Sequence, residues 1–184
     1  MILKPEYIRN VRPIAENIND TARLYPYIAE AENLRLIDAI GASLYQWLDE
    51  NDFSGAGPFQ FNNTEITKDQ YNALMNGGYF TKSKCCGEGK SVGLITAIAY
   101  IAYSRFVVNN PINTTAFGVR YKDGEFSSKV EDAVLIRNSN EARKIGEAYL
   151  QQVVEHCRSL ELLPCSNQYV EAPKRIIRIS RQKL

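Results

Sequence analysis

The sequence predicts a mainly α protein: a helical bundle with a long C-terminal helix, one projecting β-hairpin and an extended basic C-terminal tail. Three observations carry that prediction. Residues 91–109 are apolar nearly all round, a pattern that only a buried helix tolerates. Residues 131–162 set apolar side chains at steps of three and four, the signature of a second, longer helix. Between the two, Asp123-Gly124 stands among short extended runs, which is a hairpin signal.

Residues 1–23 read as irregular, because Pro5 and Pro13 disfavour regular structure and Asn17, Asn19, Asp20 and Thr21 are turn or cap residues. A first helix is predicted over 22–35, with Leu24, Tyr27, Ile28, Ala31 and Leu34 on one stripe. A second comes directly after it, carrying Ile37, Ile40, Leu44, Trp47 and Leu48, and Gly41 inside it marks a break. Residues 52–63 read as loop. Thr67 and Gln70 have the form of a capping box, which predicts a helix over 68–76 ended by Gly77 and Gly78. Residues 79–90 read as loop.

The central helix over 91–109 holds Leu94, Ile95, Ile98, Ile101, Phe106 and Val107, with Gly93, Ala97, Ala99 and Ala102 interspersed, and Pro111 stops it. The hairpin falls within 112–129. In the last helix the stripe is Ala142, Ile145, Tyr149, Val153, His156, Leu160 and Leu163. Thirty helical residues would run on the order of 45 Å, longer than a compact core needs. Pro164 and Pro173 bracket a non-helical exit, and the pattern over 174–180 is compatible with a short basic strand with Ile177 and Ile179 on one side. The domain reading is therefore a helical body over 1–164 and a tail over 165–184. A strand on a chain end needs a partner to pair with.

Charge separates these two parts. The 184 residues carry a net charge of +1, but residues 1–172 hold 17 basic and 21 acidic side chains, a net of −4. No acid comes after Glu171, while Lys174, Arg175, Arg178, Arg181 and Lys183 are all basic. Such tails reach for an acidic partner surface or for nucleic acid. The tail has no aromatic platform for bases, so nucleic-acid binding there would be unspecific, and a protein partner is the stronger expectation. The 14 uncharged residues over 91–104 are too few to cross a bilayer, and the start of the chain shows no apolar core of signal-peptide length. With Cys85, Cys86, Cys157 and Cys165 in no dense framework, the thiols are expected to be reduced.

No catalytic, cofactor or metal site is expected. Gly87-Glu88-Gly89-Lys90-Ser91 resembles the end of a phosphate-binding loop, but Lys84 stands where the full pattern needs glycine. The structural reading has Ser91 capping the central helix while Gly87 and Gly89 turn the chain. His156, the only histidine, and Cys157 point about 100° apart on a helix, which disfavours a dyad. The four cysteines and His156 lack the paired spacing of a zinc site. The carboxylates Glu30 and Glu32, like Glu131 and Asp132, read as solvated helix faces and N-terminal charges.

Several stretches taken in order resemble the head-to-tail connector (adaptor) proteins of phages and prophages of gut Bacteroidetes, crAss-like phages included. They are Val11-Arg12-Pro13-Ile14 with Asn17-Ile18; Tyr27-Ile28 with Glu30-Ala31; and Leu36-Ile37 with Ala39-Ile40-Gly41 and Leu44-Tyr45. The run from Ala97 to Phe106 resembles that family's central helix, and Thr115 with Phe117-Gly118-Val119 the start of its projecting hairpin. The resemblance spans roughly residues 7–155 and departs at 79–90 and after 165. It implies a non-enzymatic virion protein at the head-tail interface, present in the host cytoplasm before assembly, as a ring of about twelve copies. It implies portal and adjacent ring or tail proteins as partners, a channel around packaged DNA, and no membrane. Partner-binding positions on the hairpin are then Phe117, Val119, Tyr121 and Phe126. On the tail they are Lys174, Arg175, Ile177, Arg178, Ile179 and Arg181. The alternative is a small helical protein that binds nucleic acid through the tail or a nucleotide through 87–91.

Overall fold

This computed structural model describes residues 1–12, 23–51, 53, 55, 57–81, 88–109, 112–115, 118–121 and 132–164. Its centre is the predicted apolar helix, α6 (Leu94–Asn109), in which Leu94, Ala97, Ile98, Ala99, Ile101, Ala102, Ser104 and Phe106 are all buried. Around it stand α1 (Pro5–Val11), α2 (Tyr25–Ala31), α3 (Ile37–Ile40), α4 (Ala42–Glu50), α5 (Lys68–Asn76) and α7 (Asp132–Ser159). The mainly α expectation holds, and so does the long last helix, which at 28 residues is about 42 Å long.

Helices α6 and α7 lie antiparallel in close contact. Ser139 Oγ donates to Ser104 O at 2.8 Å, and further along α7 a Cβ added to Gly146 would stand 2.7 Å from Ile101 Cγ1 and 3.1 Å from Ala97 O. Gly146 lets the two backbones approach where any side chain would hold them apart. The buried line of α7 is Ala142, Gly146, Leu150, Val153, Val154, His156 and Cys157. The predicted stripe shares Ala142, Val153 and His156 with this line, whereas Ile145, Tyr149, Leu160 and Leu163 flank the contact half-buried.

Several expectations need correction. Residues 5–11 are helical: Pro5 sits at the start of α1, where proline has no hydrogen bond to lose. The single helix over 22–35 is interrupted by a π-turn at Glu32–Leu36. A π-turn takes an extra residue and rotates the next stretch of helix about its axis. Ile28 and Ala31 stay buried, Leu34 swings out to 57% exposure, and Leu36 takes over the inner face. Gly41, at φ 82°, makes the expected break between α3 and α4. The capping box at Thr67 forms with both of its hydrogen bonds.

Both segments read as loops take part in hairpins. Strands β1 (Phe59–Phe61) and β2 (Thr64–Ile66) pair antiparallel through a turn at Asn62-Asn63, with Asn62 at φ 54°. Asparagine tolerates that left-handed conformation. Strands β3 (Gly78–Thr81) and β4 (Glu88–Ser91) pair with Phe80 opposite Gly89. A strand whose inward residue is glycine shows no apolar alternation, which is why the pattern was invisible. Within the predicted hairpin region, β5 (Ile112–Thr115) pairs antiparallel with β6 (Gly118–Tyr121), with Thr115 opposite Gly118. The β-branched run of β5 supplies the extended preference there. Asp123-Gly124 and the tail over 165–184 lie outside the described residues.

Candidate functional site

An open cleft of about 320 Å³ lies where the π-turn, the end of α6 and the first half of α7 meet. The π-turn supplies Arg35, α6 supplies Ile101, Ser104, Arg105, Val108 and Asn109, and α7 supplies Ser139, Asn140 and Arg143. Three guanidinium groups from three helices therefore surround one space, and no carboxylate lines it among the described residues. Arg105 Nη1 donates to Glu30 Oε2 at 2.7 Å, and Arg35 Nη2 stands 3.5 Å from Glu147 Oε1. Both pairs are on the rim and partly solvated, so they orient the arginines and add little stability. Arg143 Nη2 donates to the neutral Asn140 Oδ1 at 3.5 Å. Ser104 Oγ donates to Ile101 O at 2.7 Å, so with Ser139 bound to Ser104 O both hydroxyl protons are spent on backbone carbonyls of α6. What the cleft offers a ligand is positive charge in planar, two-pronged form, suited to carboxylate or phosphate oxygens.

One turn from Arg35, Glu32 faces the other way and overturns the expectation of a solvated carboxylate. It is buried, and Oε1 accepts the N–H of Ile2 at 2.9 Å and of Leu3 at 2.7 Å. Its Oε2 accepts the Tyr45 hydroxyl at 2.7 Å. Burial first, then this hydrogen bond, pushes the Tyr45 pKa up. Glu32 thus ties the N-terminal segment, the π-turn and α4 together. Glu30, its neighbour, holds Arg105.

Of the 87–91 motif, Gly87 lies outside the described residues and the rest forms no phosphate loop. Glu88–Ser91 is strand β4, and the Phe80 ring covers Gly89 so closely that an added Cβ would lie 2.5 Å from its Cζ. Lys90 Nζ lies 5.7 Å from the centre of the Tyr79 ring. Ser91 is not the cap of α6: its Oγ accepts the Gly93 N–H at 3.1 Å in a buried turn, and the helix starts at Leu94. Behind that hairpin, His156 stacks on Phe80 with ring centres 4.6 Å apart and planes 11° from parallel. Burial lowers the His156 pKa, and its Nδ1 has no hydrogen-bond partner among the described residues. Cys157 is fully buried, and burial pushes its thiol up to about 12.

Of the predicted partner-binding positions, Val119 and Tyr121 lie in β6, opposite Thr114 and Ile112. Phe117, Phe126, Lys174, Arg175, Ile177, Arg178, Ile179 and Arg181 lie outside the described residues, as do Cys85, Cys86 and Cys165. Sequence reasoning missed the arginine cleft, because residues 35, 105 and 143 share no motif. The available signal was Arg105, the one charge in an otherwise apolar helix. Among the described residues no group of three or more potential ligands could hold a metal ion, and no helix is long and apolar enough to cross a membrane.

No curated protein and no solved structure matches the chain. A family model matches residues 37–169, from the start of α3 to beyond the end of α7, and the chain belongs to that family, DUF6712, a family of unknown function.

Proposed function

We propose that the chain is a non-enzymatic structural subunit of the head-to-tail connector of a tailed bacteriophage. About twelve copies form a ring between portal and tail, around the DNA channel. The subunit resides in the host cytoplasm before assembly and at the head-tail interface of the virion afterwards. Its partners are neighbouring copies, the portal and an adjacent ring or tail protein, with packaged DNA close by.

The observation that carries this reading is the α6–α7 pair. A helix of 16 residues lies against one of 28, and the β5–β6 hairpin is inserted between them in sequence. A two-stranded hairpin is marginal on its own, so it gains from a surface on another molecule. The ordered motifs that resemble connector proteins include the run Ala97 to Phe106 in α6, and Thr115 and Gly118-Val119 in the hairpin strands. The acidic body suits a channel through which DNA slides without adhering, and the tail of residues 165–184 reaches the portal or a neighbouring ring.

Copy number tests this. In purified virions, quantitative peptide mass spectrometry should find the chain close to one-to-one with the portal protein. Its absence from the particle would remove the connector reading.

A further inference from the structure

The arginine cleft and the far end of α7 carry opposite chemistry. We propose that the cleft of Arg35, Arg105 and Arg143 receives the acidic end of a neighbouring copy of this chain, the surface that bears Glu65, Asp69 and Glu161. This contact rests on the ring reading above and names how one copy meets the next.

Charge and place both support it. The cleft lining among the described residues holds three arginines and no acid, and Arg143 faces only a neutral amide oxygen there. Its apolar side is Ile101 and Val108, and Val108 is left 40% exposed, so an occupant would bury hydrocarbon as well as charge. Glu30 and Glu147 hold Arg105 and Arg35 from the rim without filling the space. That arrangement limits the side-chain freedom an incoming carboxylate would have to freeze.

At the opposite end, Thr64 Oγ1 donates to Glu161 O at 3.3 Å, which brings the β1–β2 hairpin against the C-terminus of α7. Glu65 on β2, Asp69 in the first turn of α5 and Glu161 are all exposed there. Lys68, on the same end, is already engaged within the chain. Arg143 and Glu161 are some 25 Å apart along α7, so the two surfaces cannot meet within one molecule. They can meet between two, in a contact that joins different faces. Such contacts generate closed rings or open filaments.

Sedimentation velocity on the full chain tests this. The wild-type chain should self-associate, and the association should weaken as salt rises. Arg143→Glu should raise the dissociation constant at least about tenfold, and Arg143→Gln by less, with helical circular dichroism unchanged. Glu65→Arg with Glu161→Arg should do the same from the other side. Mixing the two defective variants should restore a dimer, since each still carries one intact half of the contact. Undiminished association of Arg143→Glu, or no recovery on mixing, overturns the cleft assignment and leaves the ring reading standing. A wild-type chain that stays monomeric at every concentration also overturns it, even where virion stoichiometry upholds the ring.

Discussion

Glu32 and His156 are both withdrawn from water, at 2% and 1% exposure, yet their surroundings treat them in opposite ways. Every oxygen of Glu32 has a donor: two backbone N–H groups from the N-terminal segment and the Tyr45 hydroxyl. His156 lies under Phe80 with Nδ1 unpartnered among the described residues. The first burial ties three parts of the chain into one arrangement, because one carboxylate accepts from all three donors at once. The second contributes shape and ring contact while its polar atom costs stability. Burial of a polar side chain therefore says little until its partners are counted.

The contrast between the two sites breaks down if Glu32 can be removed cheaply. Glu32→Ala leaves the buried N–H of Leu3 and the part-buried Ile2 N–H and Tyr45 hydroxyl without acceptors, at roughly 1–3 kcal/mol for each. A loss of about 4 kcal/mol is expected, read as a lower urea midpoint. A loss below about 1 kcal/mol would show that water replaces the carboxylate, and the segment at Ile2-Leu3 would not be tied down by it.

An apolar replacement at the second site should act in the opposite direction. His156→Phe keeps a ring to stack on Phe80 and removes the unpartnered nitrogen, so stability should rise by about 1 kcal/mol. A fall of that size would mean that the imidazole makes a compensating hydrogen bond.

The same contrast explains what could be read from sequence. Helix α6 was legible because its residues answer to burial on all sides, and the Thr67 cap because its partners are three residues apart. The role of Glu32 was not, since the groups that hold it are 13 to 30 residues away. The exposure of Leu34 depends on a π-turn that hydrophobic spacing does not encode, and the β3–β4 hairpin hides behind Gly89 at its inward position. In the cleft, Arg35, Arg105 and Arg143 each look like an ordinary surface charge until three helices are placed side by side. His156 was legible in part: its place on the buried stripe could be read, but its unpartnered Nδ1 could not.

That nitrogen makes the smallest prediction, a pH dependence. Burial lowers the folded-state pKa of His156 below the ordinary 6.5, so the unfolded chain takes up the proton first as pH falls. Above about pH 6.5 both states are neutral there and the group has no influence on pH dependence. Below it, stability is lost progressively until pH passes the lowered value, where the loss levels off. Cys157, its neighbour, with a thiol pushed up to about 12, does not titrate in this window. Because the chain has one histidine, the difference between wild type and His156→Phe isolates the effect. Between about pH 7.5 and about pH 5 the wild-type urea midpoint should fall more steeply than that of the variant. Parallel curves would mean that the folded protein protonates His156 as readily as the unfolded chain does, and that the Phe80 stack does not keep the ring neutral.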